Sequence, residues 1–258
     1  MTSTQTPVRT GVGELLREWR QRRRLSQLEL ASEAEVSSRH LSFVETGRSK
    51  PSRELVLYLA EHLEAPLRER NALLLAAGYA PVYRERSLED EEMGPVRDAL
   101  DRVLSGHEPY PAVIVNRRWD LVAANAAALR LFTPGVAAHL IEPPINAYRL
   151  GLHPEGLAPR VRNMGEYSHH LLTRLQREAL VSGDPGLQDL LAEVRGYPDL
   201  TQPSPIGAGP AQMLFLPMEL TTVDGEELSF FSTISTFGTA LDVTVAELSI
   251  EAFFPADD

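Results

Sequence analysis

The sequence predicts two domains, an all-α bundle over residues 1–83 and an α+β domain over residues 107–258, with a linker and connecting helix over residues 84–106 between them. Three observations carry this. Apolar residues recur at helical spacing up to Ala77, two short apolar runs between Ala112 and Ala123 then switch to a strand pattern, and the turn dipeptide Asp224-Gly225 sits between two further runs near the end. A length of 258 residues agrees, since one domain holds roughly 100–200.

Composition closes several classes. With 43% apolar and 24% charged residues the chain is ordinary globular material, which excludes a disordered, collagen-like or coiled-coil protein. The absence of Cys removes a disulfide framework, a thiolate metal site and a cysteine nucleophile. No apolar run approaches the roughly 18 residues of a membrane helix, and the start from Met1 to Pro7 lacks the basic-then-apolar pattern of a secretory signal. A cytoplasmic protein with no membrane segment is expected. The net charge of −11 hides an asymmetry: up to Arg86 there are 14 basic and 11 acidic side chains, beyond it 11 and 25. A cationic head on an acidic body suits a chain whose first part meets phosphates.

The elements follow in order. Val12, Leu15, Leu16, Trp19 and Arg23 make one amphipathic stripe. Ser26-Gln27-Leu28-Glu29 is a capping box that opens a second helix with Leu30, Ala31 and Ala34 inward. Glu35-Val36-Ser37 allows only a tight turn, after which Ser37 caps a third helix that buries Leu41 and Val44 and stops at Gly47. Pro51-Ser52 starts a fourth with Leu55, Leu59 and Leu63, and a fifth runs from Leu67 to Ala77 before Gly78. The charged stretch Arg84 to Glu92 is a linker, and Gly94 to Leu104 a connecting helix. Ala112–Val115 and Trp119–Ala123 form a hairpin about Asn116-Arg117-Arg118; Asn125 to Phe132 is a small helix; Pro143-Pro144 begins a loop-rich segment through Pro159. Glu166 to Val181 and Leu187 to Val194 are helices, Gln202 to Gln212 a loop, and Met213–Leu220 with Leu228–Ile234 a second hairpin. Leu241 to Glu251 mixes helix and strand signals, and no internal repeat is present.

The run Leu25-Ser26-Gln27-Leu28-Glu29-Leu30-Ala31 with Val36-Ser37-Ser38-Arg39-His40-Leu41-Ser42-Phe43-Val44-Glu45-Thr46-Gly47-Arg48-Ser49-Lys50-Pro51-Ser52 resembles the helix-turn-helix of phage-repressor-like regulators, the xenobiotic-response-element family. The resemblance implies a partner, double-stranded DNA, and a second helix lying in its major groove. It makes Gln27 a phosphate and orientation contact. Ser38, Arg39 and Phe43 project from the reading helix, Arg39 suited to guanine O6 and N7 and Phe43 to a thymine methyl. Arg48 and Lys50 become phosphate contacts, and Arg20 with Glu45 resembles the ion pair that braces this domain. The alternative for Arg39, Arg48 and Lys50 is a merely solvated face. Arg22, Arg23 and Arg24 either add phosphate affinity or only solubilise their helix end.

Pro111–Asn125, Asn146-Ala147-Tyr148-Arg149-Leu150 and the tail from Phe230 to Phe254 resemble the ligand-binding half of MmyB-like regulators. That resemblance implies a PAS-like fold, a five-stranded antiparallel sheet whose helices enclose an apolar slot, and a fatty-acid-type ligand. Arg149, His153 and His170 are then head-group candidates, and Tyr148, Met164, Tyr167 and Phe230 wall candidates; plain core packing is the alternative for each aromatic or Met.

No enzyme and no cofactor is expected. His169 and His170 are adjacent, about 100° apart on a helix, so no shared metal site is read there. His-Glu-x-x-His, Gly-x-Ser-x-Gly and a phosphate loop are missing, and Gly207-Ala208-Gly209 lacks the third glycine of a dinucleotide site. The expectation is a sequence-specific transcription regulator, a homodimer on a near-palindromic operator, whose C-terminal domain senses a small hydrophobic ligand. Its rival is a DNA-binding regulator whose C-terminal domain contacts another protein and takes no small molecule.

Overall fold

The computed structural model describes residues 11–198, 200 and 216–256. The expected loop Gln202–Gln212 and the residues Met213–Phe215 lie outside these. The chain divides into two units, one through Arg86 together with Ala240–Val243, the other formed by Ser87–Thr239 and the chain from Thr244 onward.

The first unit holds five helices, α1 (Val12–Arg22), α2 (Gln27–Glu33), α3 (Ser38–Glu45), α4 (Arg53–His62) and α5 (Leu67–Ala76). Their starts are written in the sequence. Ser26 Oγ accepts the Glu29 amide while Glu29 accepts the Ser26 amide at 2.7 Å, and Ser37 and Ser52 cap α3 and α4 by accepting the amides of His40 and Leu55. Leu16, Trp19, Leu30, Leu41, Leu59 and Leu73 close the core. At Gly13 the first helix comes so near the third that a Cβ would lie 2.3 Å from the Val44 carbonyl oxygen.

The second unit opens with a 3-10 turn, Glu91–Met93, inside the expected linker, and α6 (Gly94–Gly106). Strands β1 (Ala112–Val115) and β2 (Leu121–Ala124) follow, then α7 (Ala126–Phe132), α8 (Ala138–Ile141), α9 (Ala147–Leu152), α10 (Met164–Ser182) and α11 (Pro185–Arg195). Last come β3 (Met218–Thr221), β4 (Glu227–Thr236), α12 (Val243–Ala246) and β5 (Ser249–Pro255). The sheet order is β2-β1-β5-β4-β3, antiparallel throughout, which is a PAS-like arrangement.

Three expectations are corrected. The second strand begins at Leu121 rather than Trp119, because Trp119 sits in the left-handed region (φ 66°) closing the turn onto the Asn116 carbonyl. The segment read as loop-rich through Pro159 contains α9, because the Asn146 side chain accepts the amides of Tyr148 and Arg149, and a 3-10 turn, Ala158–Arg160. The ambiguous stretch Leu241–Glu251 resolves into one helical turn and the start of β5.

Strand alternation splits the sheet's apolar residues. Ala112, Ile114 and Ile250 meet Leu100 and Leu104 of α6 on one side, while Val113, Val115 and Phe253 belong to clusters formed with α7, α9, α10 and α11 on the other.

Candidate functional site

On the first unit, α3 presents Ser38 and Arg39 exposed and Phe43 half-buried. The Arg39 guanidinium lies 5.4 Å from the Phe43 ring centroid and that of Arg48 at 6.0 Å, so one aromatic ring shelves both cations at the outer edge of the helix. The loop past Gly47 (φ 72°) is held by the amides of Arg48 and Ser49, both donating to the Phe43 carbonyl. Lys50 is exposed, its Nζ 5.2 Å from the Tyr79 ring. Among the described residues Arg39, Arg48 and Lys50 have no carboxylate partner, which leaves three unneutralised cations for an external anion.

Behind this face the Glu45 carboxylate accepts Arg20 Nε at 2.7 Å, Arg20 Nη2 at 2.8 Å and Gln27 Nε2 at 2.7 Å, while Arg20 Nη1 donates to the Leu25 carbonyl. The expected brace therefore forms, and it ties α1, the start of α2 and the end of α3 into one body. Burial would raise the Glu45 carboxyl, but the hydrogen bonds from Arg20 and Gln27 and the charge of Arg20 outweigh it and hold it below the usual carboxylate range. Gln27, expected as a phosphate contact, is half-buried with its amide turned to Glu45. Arg23 is spent internally, its Nε donating to the Leu63 carbonyl and its Nη2 to that of Glu64.

On the second unit a narrow cavity, partly open to solvent, lies between the sheet and its helices. Its walls are mostly aliphatic and aromatic, among them Val113, Leu121, Phe132, Leu157, Leu171 and Phe253. Five polar side chains line it as well: Thr133, Tyr148, Tyr167, Arg174 and Glu251. Arg174 stacks over the Trp119 ring at 4.2 Å, donates from Nε to the Tyr148 hydroxyl at 3.0 Å and brings Nη1 to 3.8 Å from Glu251 Oε1, which accepts the Ser232 hydroxyl. The Arg174 and Glu251 side chains are only 12% and 9% exposed. Among the described residues the terminal nitrogens of Arg174 and the hydroxyl of Tyr167 make no hydrogen bond, and Nη1 has only its ion pair with Glu251. Burial pushes the Tyr148 and Tyr167 hydroxyls up and keeps both protonated. Trp119 Nε1 donates to Glu178 at 2.7 Å, and burial raises the Glu178 carboxyl despite that bond. A desolvated guanidinium beside a neutral phenol is a donor pair that can hold an anionic or acceptor group, and aliphatic walls can hold an apolar one.

The structure places the seven expected ligand residues unevenly. Tyr148 and Tyr167 line the cavity; Arg149, His153, Met164, His170 and Phe230 are not among its lining residues. Arg149 is engaged in a two-point pair with Glu193, both bonds 2.8 Å, at the surface. His153 packs edge-on to His139 and Tyr197, and His170 is exposed at the surface, its pKa lowered by partial desolvation of the ring and by the charge of Arg174. Met164 and Phe230 join the apolar cluster beside the cavity. Arg174 and Glu251 were missed, though each left a signal: Arg174 continues the inward stripe of Leu171 and Leu175, and Glu251 interrupts the apolar run of β5. A second polar group, His139, His153 and Glu155, brings one ligand atom from each to within 4.8 Å of the others.

A helical unit with unpaired cations on and after its third helix, in one chain with a cavity-bearing sheet, defines a class, DNA-binding regulators with a ligand-binding C-terminal domain. Family models agree: that of the MmyB-like transcription regulator ligand binding domain matches residues 96–258, and that of a helix-turn-helix domain matches residues 12–73. The chain belongs to the MmyB-like transcription regulators. No curated protein matches. Among solved structures, that of an RNA-binding Light-Oxygen-Voltage receptor is 14% identical over 95% of this chain and 58% of its own, with a TM-score of 0.31, so the chain spans less than two thirds of that receptor. No helix among the described residues is long and apolar enough to cross a membrane.

Proposed function

We propose that this regulator reads a near-palindromic operator as a homodimer and responds to a small hydrophobic, fatty-acid-like ligand held in the cavity of the second unit, without catalysing a reaction. The observation that carries the reading is the pairing of an aliphatic cavity with one desolvated guanidinium, Arg174, whose terminal nitrogens make no hydrogen bond among the described residues and meet Glu251 only at 3.8 Å. In this reading Ser38, Arg39 and Phe43 face base edges while Arg48 and Lys50 meet phosphates. A single short helix discriminates poorly, which favours two readers on a two-fold site. The ligand acts by binding unequally to two arrangements of the protein and shifting the balance between them.

Organic extraction of purified protein, followed by mass spectrometry, should yield an aliphatic acid from the native chain and little from Arg174→Met. Adding that acid to stripped protein should change operator affinity; unchanged affinity at saturation refutes the coupling. The acidic balance beyond Arg86 favours a second reading, a C-terminal domain that contacts a basic protein surface and takes no small molecule. An empty extract together with a native-sized cavity that binds no acid would favour it.

A further inference from the structure

We propose that His139, His153 and Glu155 form a binding site for a divalent cation of the zinc class, placed where it clips together two short helices that border the cavity. Two imidazoles and a carboxylate are the nitrogen and oxygen set that zinc and its transition-metal neighbours take, and imidazole disfavours calcium or magnesium. The three ligand atoms already lie within 4.8 Å of one another, so closing on an ion asks for side-chain rotation rather than backbone rearrangement. His139 and Glu155 are exposed and His153 half-buried, which leaves a further coordination position to water.

The groups are brought together by the backbone, with the Glu193 carboxylate near enough to His153 to interact with its charge. His139 stands on α8, and the Ala137 amide at the start of that helix donates to the Glu155 carbonyl at 2.9 Å. His153 ends α9, its ring 5.4 Å from that of His139 and nearly perpendicular to it. Among the described residues, neither the His139 ring nitrogens nor the Glu155 carboxylate has a hydrogen bond or ion pair. His153 is partly engaged: its Nδ1 accepts the Glu155 amide at 3.1 Å, and coordination would replace that bond or turn the ring over. The same two helices contribute Ile141, Leu150 and Gly151 to the cavity lining. An ion bound here therefore joins α8 to the end of α9 and stiffens that part of the wall.

The experiment uses the full chain without a polyhistidine tag, stripped with chelator and then titrated with Zn²⁺ by calorimetry and with Co²⁺ by visible absorption. One equivalent should bind. Because loss of an outer-shell partner already weakens metal sites about 10- to 100-fold, His139→Ala, His153→Ala and Glu155→Gln should each weaken binding by at least about 10-fold. A His169→Ala and His170→Ala double variant should bind as the native chain does. Zn²⁺ should also slow amide hydrogen exchange between residues 138 and 152 in the native chain and not in Glu155→Gln. The absence of a one-to-one site, affinity unchanged in the three variants, or affinity lost in the double variant would overturn the proposal.

Discussion

The Glu45 carboxylate shows how one residue sets the geometry of a reading face. It is 1% exposed and accepts three hydrogen bonds, so Glu45→Ala would strand the Arg20 guanidinium, itself 10% exposed, without a counter-charge. Removing one partner of a buried pair costs about 3–5 kcal/mol, and thermal or denaturant unfolding should record a loss of that size. The sign with pH is fixed by direction. The carboxyl is held below its unfolded value, so its contribution is complete above the ordinary carboxylate range of about 4.3 and disappears as pH falls through the lowered folded value. Acid titration of native chain and variant should converge at the low end. At the outer edge the predictions separate by chemistry. Arg39→Ala should cost about 1–3 kcal/mol on the specific operator and relax one base position, whereas Lys50→Ala should weaken all sequences alike and flatten the salt dependence. Equal losses on specific and random DNA from Arg39→Ala would remove its reading role.

Helices of the first unit were legible because three of them, α2, α3 and α4, carry their own punctuation. Ser26, Ser37 and Ser52 cap at the positions their spacing implies, and the apolar stripes name the buried side. Less legible was how closely elements approach. Gly13 reads as an ordinary helical glycine, yet it is where α1 meets the end of α3, with backbone oxygens of Val44 and Glu45 at 2.3 and 2.7 Å from a would-be Cβ. Gly13→Ala should therefore destabilise the unit, by about 1–3 kcal/mol on the scale of an overpacked core, although alanine is the better helix former; a stabilised variant in denaturant titration would refute the close approach. In the second unit periodicity reported which residues turn inward but not what they meet. Arg174 and Glu251 come from a helix and a strand 77 positions apart, and nothing local in either announces the other. The same holds for Trp119, whose place in an apolar run suggested a strand and whose left-handed backbone follows from the turn it closes.

At the scale of the molecule, charge and composition separated the two halves of the chain before any element was assigned, because a surface that meets phosphate and one that does not need opposite balances. Chemical identity of an occupant is a different matter, set by a few donors inside an apolar wall and by the space between them. If Arg174 anchors a head group, Arg174→Met should leave operator affinity of the stripped protein within about two-fold of native, less than 0.5 kcal/mol, and remove its response to added acid. Gel-shift titrations with and without acid decide this. Light scattering should give twice the chain's 28.6 kDa at concentrations where the operator is bound cooperatively.

Strand β5 is a partition wall one residue thick. Glu251 borders the cavity and its neighbour Ile250 abuts Leu100 and Leu104 of α6, the helix by which the polypeptide enters this unit. Consecutive strand residues are about 3.3 Å apart and alternate in direction, so one peptide link separates the side chain at the cavity from the one against α6. An occupant that moved Glu251 would have the shortest of routes out of the chamber.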